Sequence, residues 1–293
     1  MLRGTFTALV TPFNSDGSID EKTFRDIIKD QIKNGITGIV PCGTTGESPT
    51  LSYKDHDRLI EIAIDEAKGK VHIMAGTGSN STEEALEMTN FAKKVGADSS
   101  LQIVPYYNKP TQEGLFKHFK TIAEKTKMPI IIYNIQGRTG INLETATLVE
   151  LAKIDNIIAV KEASGSITQM MDVIKNTRKI KKDFSVLSGD DRLTLPLMSI
   201  GGDGVISVAS NVIPKKMVDF VSLGLNKNFD KMKEEHYYFD ELFVKLFIET
   251  NPIPVKTILF LKDKIKNVFR LPMCEASNNT VSVMKDLIEK YGI

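Results

Sequence analysis

The chain has 293 residues, of which 41% are hydrophobic and 26% are charged, as in an ordinary globular protein with a sizeable core. Its 38 basic residues nearly balance its 37 acidic residues, and the formal net charge is +1. This balance argues against a nucleic-acid groove or an anionic membrane patch and favours a small-molecule ligand. Two distant cysteines, Cys42 and Cys274, indicate a reducing compartment rather than a disulfide scaffold.

The sequence contains neither a pattern typical of a membrane-spanning segment nor one typical of a metal-binding site. The first residues carry no apolar signal segment, and no apolar stretch approaches the roughly 20 residues needed to cross a bilayer. We therefore expect a cytoplasmic protein. The histidines show no metal-ligand spacing, and we expect no metal site.

Short apolar segments alternate with amphipathic segments along most of the chain. Eight strands are predicted at Thr5–Val10, Gly38–Pro41, His72–Ala75, Ser100–Val104, Ile130–Tyr133, Ile157–Lys161, Phe184–Leu187 and Gly204–Val208. Eight helices are predicted at Glu21–Asn34, Tyr53–Ala67, Thr82–Val95, Gln112–Lys125, Leu143–Ala152, Ile167–Thr177, Leu193–Ile200 and Pro214–Leu223. This alternation favours an α/β fold, a (β/α)8 TIM barrel, over an open doubly wound sheet, which usually has fewer strands.

The pattern of strands stops near residue 225. The remainder predicts three helices, at Glu234–Leu246, Val255–Asp263 and Val281–Lys290. We therefore predict two domains, a catalytic barrel at residues 1–225 and a C-terminal helical appendage at residues 226–293. In such a barrel, the active site is built from the C-terminal ends of the strands and the loops that follow them.

Residues that could take part in catalysis or substrate binding follow six of the predicted strands. They are Gly43-Thr44-Thr45-Gly46-Glu47, Pro105-Tyr106-Tyr107-Asn108, Tyr133 with Arg138, Lys161, Gly189-Asp190-Asp191 and Ile206-Ser207. Because the C-terminal ends of all strands meet at one mouth of a barrel, we expect these residues to form one site.

Lys161 is the most informative of these residues. It ends the apolar run Ile157–Val160 and precedes a Gly- and Ser-rich turn, so its amine lies at the rim of a core. Desolvation there lowers the pKa of a lysine and leaves a nucleophilic amine, as a Schiff-base lysine requires. The alternatives are a lysine that extends to the barrel rim and one that pairs with Glu162.

The neighbouring candidates suit the same chemistry. Phenols and hydroxyls can shuttle protons to the oxygen that leaves when an amine condenses with a carbonyl. Thr44 and Thr45 could hold a carboxylate, and Arg138 offers a bidentate fork for a second one. The set predicts Schiff-base chemistry on a 2-keto acid with an anionic second substrate. The simpler interpretations are a tight turn at Gly43–Gly46 and rim packing of the tyrosines.

With these residues in place, the chain resembles the dihydrodipicolinate synthase and N-acetylneuraminate lyase family of class I aldolase-like barrels. The similar motifs run almost end to end: Thr7-Ala8-Leu9-Val10-Thr11-Pro12-Phe13, Gly43-Thr44-Thr45-Gly46-Glu47-Ser48, Pro105-Tyr106-Tyr107-Asn108-Lys109-Pro110, Tyr133-Asn134, Gly137-Arg138-Thr139-Gly140, Val160-Lys161-Glu162-Ala163-Ser164-Gly165, Leu187-Ser188-Gly189-Asp190-Asp191, Gly204-Val205-Ile206-Ser207-Val208, Asn251-Pro252-Ile253-Pro254-Val255-Lys256 and Arg270-Leu271-Pro272-Met273.

Within this family the resemblance favours the synthase branch, because the chain has Thr44-Thr45 where the lyases have Ser-Thr, and it has Arg138. The resemblance implies condensation of pyruvate with L-aspartate 4-semialdehyde in diaminopimelate and lysine biosynthesis, with no cofactor beyond the covalent imine. It also implies a cytoplasmic homotetramer, a dimer of dimers. Another pyruvate-dependent aldolase and a non-catalytic keto-acid sensor remain as alternatives.

The resemblance also implies roles for individual residues. Lys161 would form the imine, and Tyr133, Thr44 and Tyr107 would relay protons, Tyr107 reaching in from a neighbouring subunit. The substrate-binding positions would be Thr45 for the pyruvate carboxylate, Arg138 for the semialdehyde carboxylate, the Ile206 carbonyl, and Gly189.

A feedback site for lysine is the last implication of the resemblance. It would be formed by Ser48, Pro49, Tyr53, His56, Asn80, Glu84 and Tyr106. Tyr53 replaces a common histidine, and the sequence leaves open whether lysine inhibits. Gln136 stands where the family usually has proline, so we expect a looser loop before Arg138.

Overall fold

The computed structural model describes residues 1–293 and contains a closed barrel of eight parallel strands. Each strand pairs with the next along the chain, and β8 closes the barrel against β1. The strands are β1 Gly4–Ala8, β2 Gly38–Val40, β3 His72–Gly76, β4 Ser99–Ile103, β5 Ile130–Asn134, β6 Ile157–Glu162, β7 Ser185–Ser188 and β8 Gly204–Ser207. The predicted TIM barrel is confirmed, with small shifts at the strand ends.

Twelve helices surround the barrel and extend its C-terminal side. They are α1 Glu21–Lys33, α2 Tyr53–Ala67, α3 Thr82–Val95, α4 Gln112–Thr126, α5 Gln136–Thr139, α6 Thr145–Ala152, α7 Ile167–Ile180, α8 Thr194–Ser199, α9 Pro214–Leu225, α10 Phe229–Lys245, α11 Ile253–Leu261 and α12 Asn278–Tyr291. Every predicted helix is present, and the one-turn α5 is an addition. Ser81 accepts a hydrogen bond from the N–H of Glu84, as expected for the cap of α3.

Alternation along the strands decides which side chains enter the barrel. In β5, Ile131 and Tyr133 belong to the inner apolar cluster, whereas Ile132 packs outward against the helices. In β6, Ala159 faces inward, and Lys161 follows two residues later on the same face. Tyr133 and Lys161 are register partners, so the barrel places their side chains next to each other.

The C-terminal helices pack on the barrel through a shared apolar cluster. This cluster joins Val10 and Val205 of the barrel region to Phe239, Val255 and Met284 of the C-terminal helices. The predicted C-terminal helices are therefore confirmed, whereas the division into domains at residue 225 stays a prediction. None of the helices has both the length and the apolar character needed to span a membrane.

Candidate active site

Lys161 lies at the mouth of the barrel with only 5% of its surface exposed. Its Nζ is 4.0 Å from the centroid of the Tyr133 ring. Gly189 packs against the lysine, since a Cβ at residue 189 would lie 3.1 Å from both Cγ and Cε of Lys161. Burial lowers the pKa of Lys161 to about 7, while Asp191 opposes this fall and Arg138 adds to it. The neutral amine is therefore well populated at neutral pH.

Asp191 is a member of this site to which the sequence assigned no role. Its Oδ2 accepts hydrogen bonds from the N–H groups of Val208 and Ala209, at 3.0 and 2.8 Å, and Oδ1 has no partner. Burial raises the pKa of Asp191 to about 6. Asp191 thus ties the end of β7 to the end of β8 and supplies a negative charge that acts on Lys161. Its position two residues after Gly189 was the available signal.

Tyr133 and Thr44 are brought together beside Lys161. The Tyr133 side chain is buried, and burial raises the pKa of its phenol to about 12. Arg138 and a hydrogen bond with Thr44 act in the opposite direction and limit this rise. At neutral pH the phenol therefore keeps its proton and can donate it.

The Thr44–Gly46 segment forms one turn of 3-10 helix after β2, and Glu47 ends it with φ 56° and ψ 34°. Thr45 is buried, and its Oγ1 accepts a hydrogen bond of 3.0 Å from Nδ2 of Asn251. The Gly46 carbonyl accepts a hydrogen bond of 2.7 Å from Thr11. Thr45 and Gly46 are therefore held by contacts from other parts of the chain.

One cavity of about 690 Å³ opens beside these residues. Its lining includes three of the predicted catalytic or substrate-binding residues, Thr44, Tyr133 and Arg138. It also includes most of the predicted lysine-site residues, namely Ser48, Pro49, Tyr53, His56, Glu84 and Tyr106. Asn80 is not in the lining, but its amide donates to the Tyr106 carbonyl at 3.1 Å. Three predicted active-site residues thus share one space with most of the predicted lysine site, whereas the lining does not include Lys161, Thr45, Gly189 or Ile206.

Comparison with known proteins agrees with this geometry. A model of the Dihydrodipicolinate synthetase family matches residues 1–291. The chain belongs to this family. A 4-hydroxy-tetrahydrodipicolinate synthase from Hydrogenobaculum sp. (strain Y04AAS1) is 51% identical over 294 residues, which cover 100% of both chains.

Solved structures of the family have the same fold. Dihydrodipicolinate synthase from Aquifex aeolicus superposes with a TM-score of 0.97 at 44% identity, over 99% of this chain and 98% of that one. The family structure from Cyanidioschyzon merolae with lysine bound superposes with a TM-score of 0.95 at 38% identity, over 99% of this chain and 98% of that one.

The loop that carries Arg138 contains Gln136, where the resemblance led us to expect a proline. Gln136 begins the one-turn helix α5, and its Nε2 donates to the Ser164 carbonyl at 3.2 Å. Arg138 donates from Nη2 to the Asn251 carbonyl at 3.2 Å. Hydrogen bonds from Gln136 and Arg138 therefore restrain the loop, and greater looseness of the loop stays a prediction.

Two predicted residues take different places around the site. Ile206 is fully buried in β8, where it pairs with Phe6 of β1. Tyr107 has φ 72° and is 90% exposed, so the single chain does not bring it to the other relay residues. Its suggested reach into a neighbouring subunit stays a prediction. No group of three or more His, Cys, Asp or Glu side chains is arranged to hold a metal ion.

The pKa of Lys161 predicts how imine formation depends on pH. Because the neutral amine is the nucleophile, trapping of a pyruvate adduct at limiting pyruvate should rise as the pH passes through about 7 and level off near pH 8. Borohydride reduction at timed intervals, followed by mass spectrometry of the Lys161 peptide, measures this rate. Lys161→Met serves as the blank. A rate that keeps rising to pH 10 would indicate an ordinary lysine and contradict the prediction.

Proposed function

We propose that this chain catalyses the 4-hydroxy-tetrahydrodipicolinate synthase reaction, the condensation of pyruvate with L-aspartate 4-semialdehyde that leads to diaminopimelate and lysine. The observation that carries the proposal is the buried amine of Lys161, which lies 4.0 Å from the Tyr133 ring centroid at the mouth of the barrel. Full-length identity of 51% to a relative with this activity supports it.

Imine formation begins the reaction. The Lys161 amine attacks C2 of pyruvate, and loss of the carbonyl oxygen as water leaves the imine. Tyr133 supplies a proton to the departing oxygen, and Thr44, hydrogen-bonded to Tyr133, passes protons to and from solvent. Loss of a proton from C3 then gives the enamine. We infer that no cofactor takes part, because the protonated imine itself draws the electrons from C3.

Carbon–carbon bond formation follows. C3 of the enamine attacks the aldehyde carbon of the semialdehyde, whose oxygen takes up a proton. The amino group of the second substrate then attacks C2, the ring closes, and the Lys161 amine is released. This last step returns the lysine to its starting form.

The two carboxylates require two separate donors. Thr45 accepts its hydrogen bond from Asn251, so its own hydroxyl proton stays free to donate to the pyruvate carboxylate. Arg138 lies in the same cavity lining as Thr44 and would hold the carboxylate of the semialdehyde. Gly189 leaves space beside the imine, and the Ile206 carbonyl would lie against the bound pyruvate.

Assembly into a homotetramer is part of the proposal. A tyrosine that is 90% exposed on a strained loop is a suitable contact residue for a second copy. In that assembly Tyr107 would complete the proton relay of a neighbouring subunit.

The first test compares substrates and an active-site variant. With pyruvate and L-aspartate 4-semialdehyde the chain should turn over, and Lys161→Met should lose the activity and the borohydride-trapped adduct together. A coupled reductase assay and mass spectrometry measure the two. Turnover with N-acetylmannosamine instead would indicate a lyase, and an absent adduct in the unaltered chain would indicate a sensor.

Arg138 should determine the affinity for the second substrate. Arg138→Ala removes a bidentate, charged hydrogen-bond donor, so the KM for the semialdehyde should rise by about tenfold to a hundredfold. The rate of pyruvate adduct formation should change little. Arg192→Ala removes an exposed arginine paired with Asp240 and is the matched control. An unchanged semialdehyde KM in Arg138→Ala would exclude this role.

Lysine should inhibit the reaction by binding next to the active site. The cavity joins Glu84, whose carboxylate accepts a hydrogen bond of 2.6 Å from Ser79, to Thr44 and Tyr133. Glu84 supplies the charge for an ammonium, so initial rates should fall with added lysine, and Glu84→Gln should weaken this effect at least tenfold. Glu83→Gln, on the same first turn of α3, is the control. A flat lysine titration would exclude the site.

A further inference from the structure

Glu47 is a buried acid at a strained position directly beside the two candidate threonines. Its φ of 56° lies in the left-handed region, which non-glycine residues rarely adopt, and its side chain is fully buried. Strain of this kind persists only where the surroundings enforce it. The N–H of Glu47 also donates to the Thr44 carbonyl at 3.1 Å and closes the turn. The position of Glu47 therefore fixes the shape of the Thr44–Gly46 turn.

The contacts that hold Glu47 come from the C-terminal part of the chain. Its Oε1 accepts from Nζ of Lys256 at 2.5 Å, and its Oε2 accepts from the N–H of Arg270 at 3.2 Å. Lys256 lies in α11 with its side chain 1% exposed. A buried acid and a buried base in direct contact stabilise each other, whereas either one alone would be an unpaired buried charge.

Lys256 is held in place by more than its ion pair. Its ammonium also donates to the Val268 carbonyl at 2.8 Å, and it lies 4.6 and 4.4 Å from the ring centroids of Phe13 and Phe269. An ammonium in such a site has little freedom to move. Glu47 is therefore tied to a fixed point rather than to a flexible surface chain.

The same C-terminal segment reaches the substrate-binding side chains by a second connection. Asn251 donates from its side chain to Thr45 and accepts from Arg138 through its main-chain carbonyl. Asn251 lies just before α11, the helix that carries Lys256. One buried segment thus contacts both loops that would bind the two carboxylates.

We propose that Glu47 and Lys256 are positioning residues, whose buried ion pair holds the Thr44–Gly46 turn in the geometry that proton relay and pyruvate binding require. This inference rests on the proposed function of Thr44 and Thr45. The side chains of Glu47 and Lys256 are 0% and 1% exposed and pair with each other, so they act through the turn and not on the substrate.

The test uses a pair of neutral residues in place of the ion pair. Glu47→Gln combined with Lys256→Met removes both charges together, so the double variant avoids the unpaired buried charge of either single variant and should fold with a melting temperature near that of the unaltered chain. Its kcat should nonetheless fall by about tenfold to a hundredfold, because small displacements of catalytic groups have effects of that size. The KM for pyruvate should rise, while the KM for the semialdehyde should stay nearly constant.

A partly buried ion pair at the N-terminal end of the barrel strands provides the control. Arg178 pairs with the buried Asp203 at 2.7 Å, just before the start of β8, and Arg3 lies 3.5 Å from the same carboxylate. Arg178→Met combined with Asp203→Asn removes that pair. This control variant can have a lower melting temperature, but the kcat of its folded fraction and its KM for pyruvate should be unchanged. The control thus separates a general effect of removing a buried pair from an effect on the turn.

A conservative variant covers the case in which the double variant does not fold. Glu47→Asp keeps the charge but shortens the side chain by one carbon, so it should fold and lower kcat severalfold. Normal kcat and pyruvate KM in whichever of the two variants folds would overturn the proposal and leave the pair a purely structural role. The proposal would also be overturned if kcat fell only in proportion to the amount of folded protein.

The unaltered chain is assayed alongside these variants, which separates this inference from the proposed function. If the unaltered chain lacks synthase activity, the proposed function fails. The timed borohydride trapping of pyruvate on Lys161 then still tests the ion pair, since it requires the turn but not the second substrate. Slower trapping in the Glu47 variants than in the Arg178/Asp203 control supports the inference, and equal trapping overturns it.

Discussion

The burial of one amine, the Nζ of Lys161, is the constraint on which the rest of the candidate site depends. A lysine that is 5% exposed has lost most of its hydration, so its neutral form is favoured. The barrel creates this environment because β5 and β6 place Tyr133 and Lys161 side by side on the inner face. The charge of Asp191 limits the fall of the pKa, so the amine titrates near neutrality and not far below it. Nucleophilicity at Lys161 is thus a property of its position.

The two buried lysines differ in role, since Lys161 is a candidate nucleophile and Lys256 forms a buried ion pair. Lys161 has no acid in hydrogen-bonding contact, and burial dominates its pKa. Lys256 is equally buried, and burial lowers its pKa too, but Glu47 opposes the fall by direct contact, and a carbonyl and two aromatic rings occupy the remaining space. A buried lysine in direct contact with an acid is held in place by the ion pair, whereas one without such a contact is left as a reactive amine. Direct contact with an acid, rather than burial, therefore distinguishes the structural Lys256 from the nucleophilic Lys161.

The barrel and the cluster around Lys161 could be predicted from the sequence because both follow from short-range patterns. Apolar runs mark the strands, and parallel strands put their C-terminal ends at one mouth, which brings Thr44, Tyr133 and Lys161 together. The helix Gln136–Thr139 could not be found in this way, because a single turn has no periodicity to detect. Its stability comes partly from the Gln136 side chain and the Ser164 carbonyl, a contact between two different loops.

The contacts that hold the Thr44–Gly46 turn could not be predicted from the sequence for a different reason. Glu47 belongs to a visible motif, but Lys256 is 209 residues away along the chain, and no spacing rule links such positions. The predicted boundary at residue 225 treats the last helices as an appendage, yet Asn251 and Lys256 cross it to contact Thr45 and Glu47. Since these contacts are buried and charged or polar, they form only when both parts of the chain are folded against each other. The geometry of the turn at the barrel mouth is therefore a property of the whole chain, which is why the C-terminal helices belong to the candidate active site.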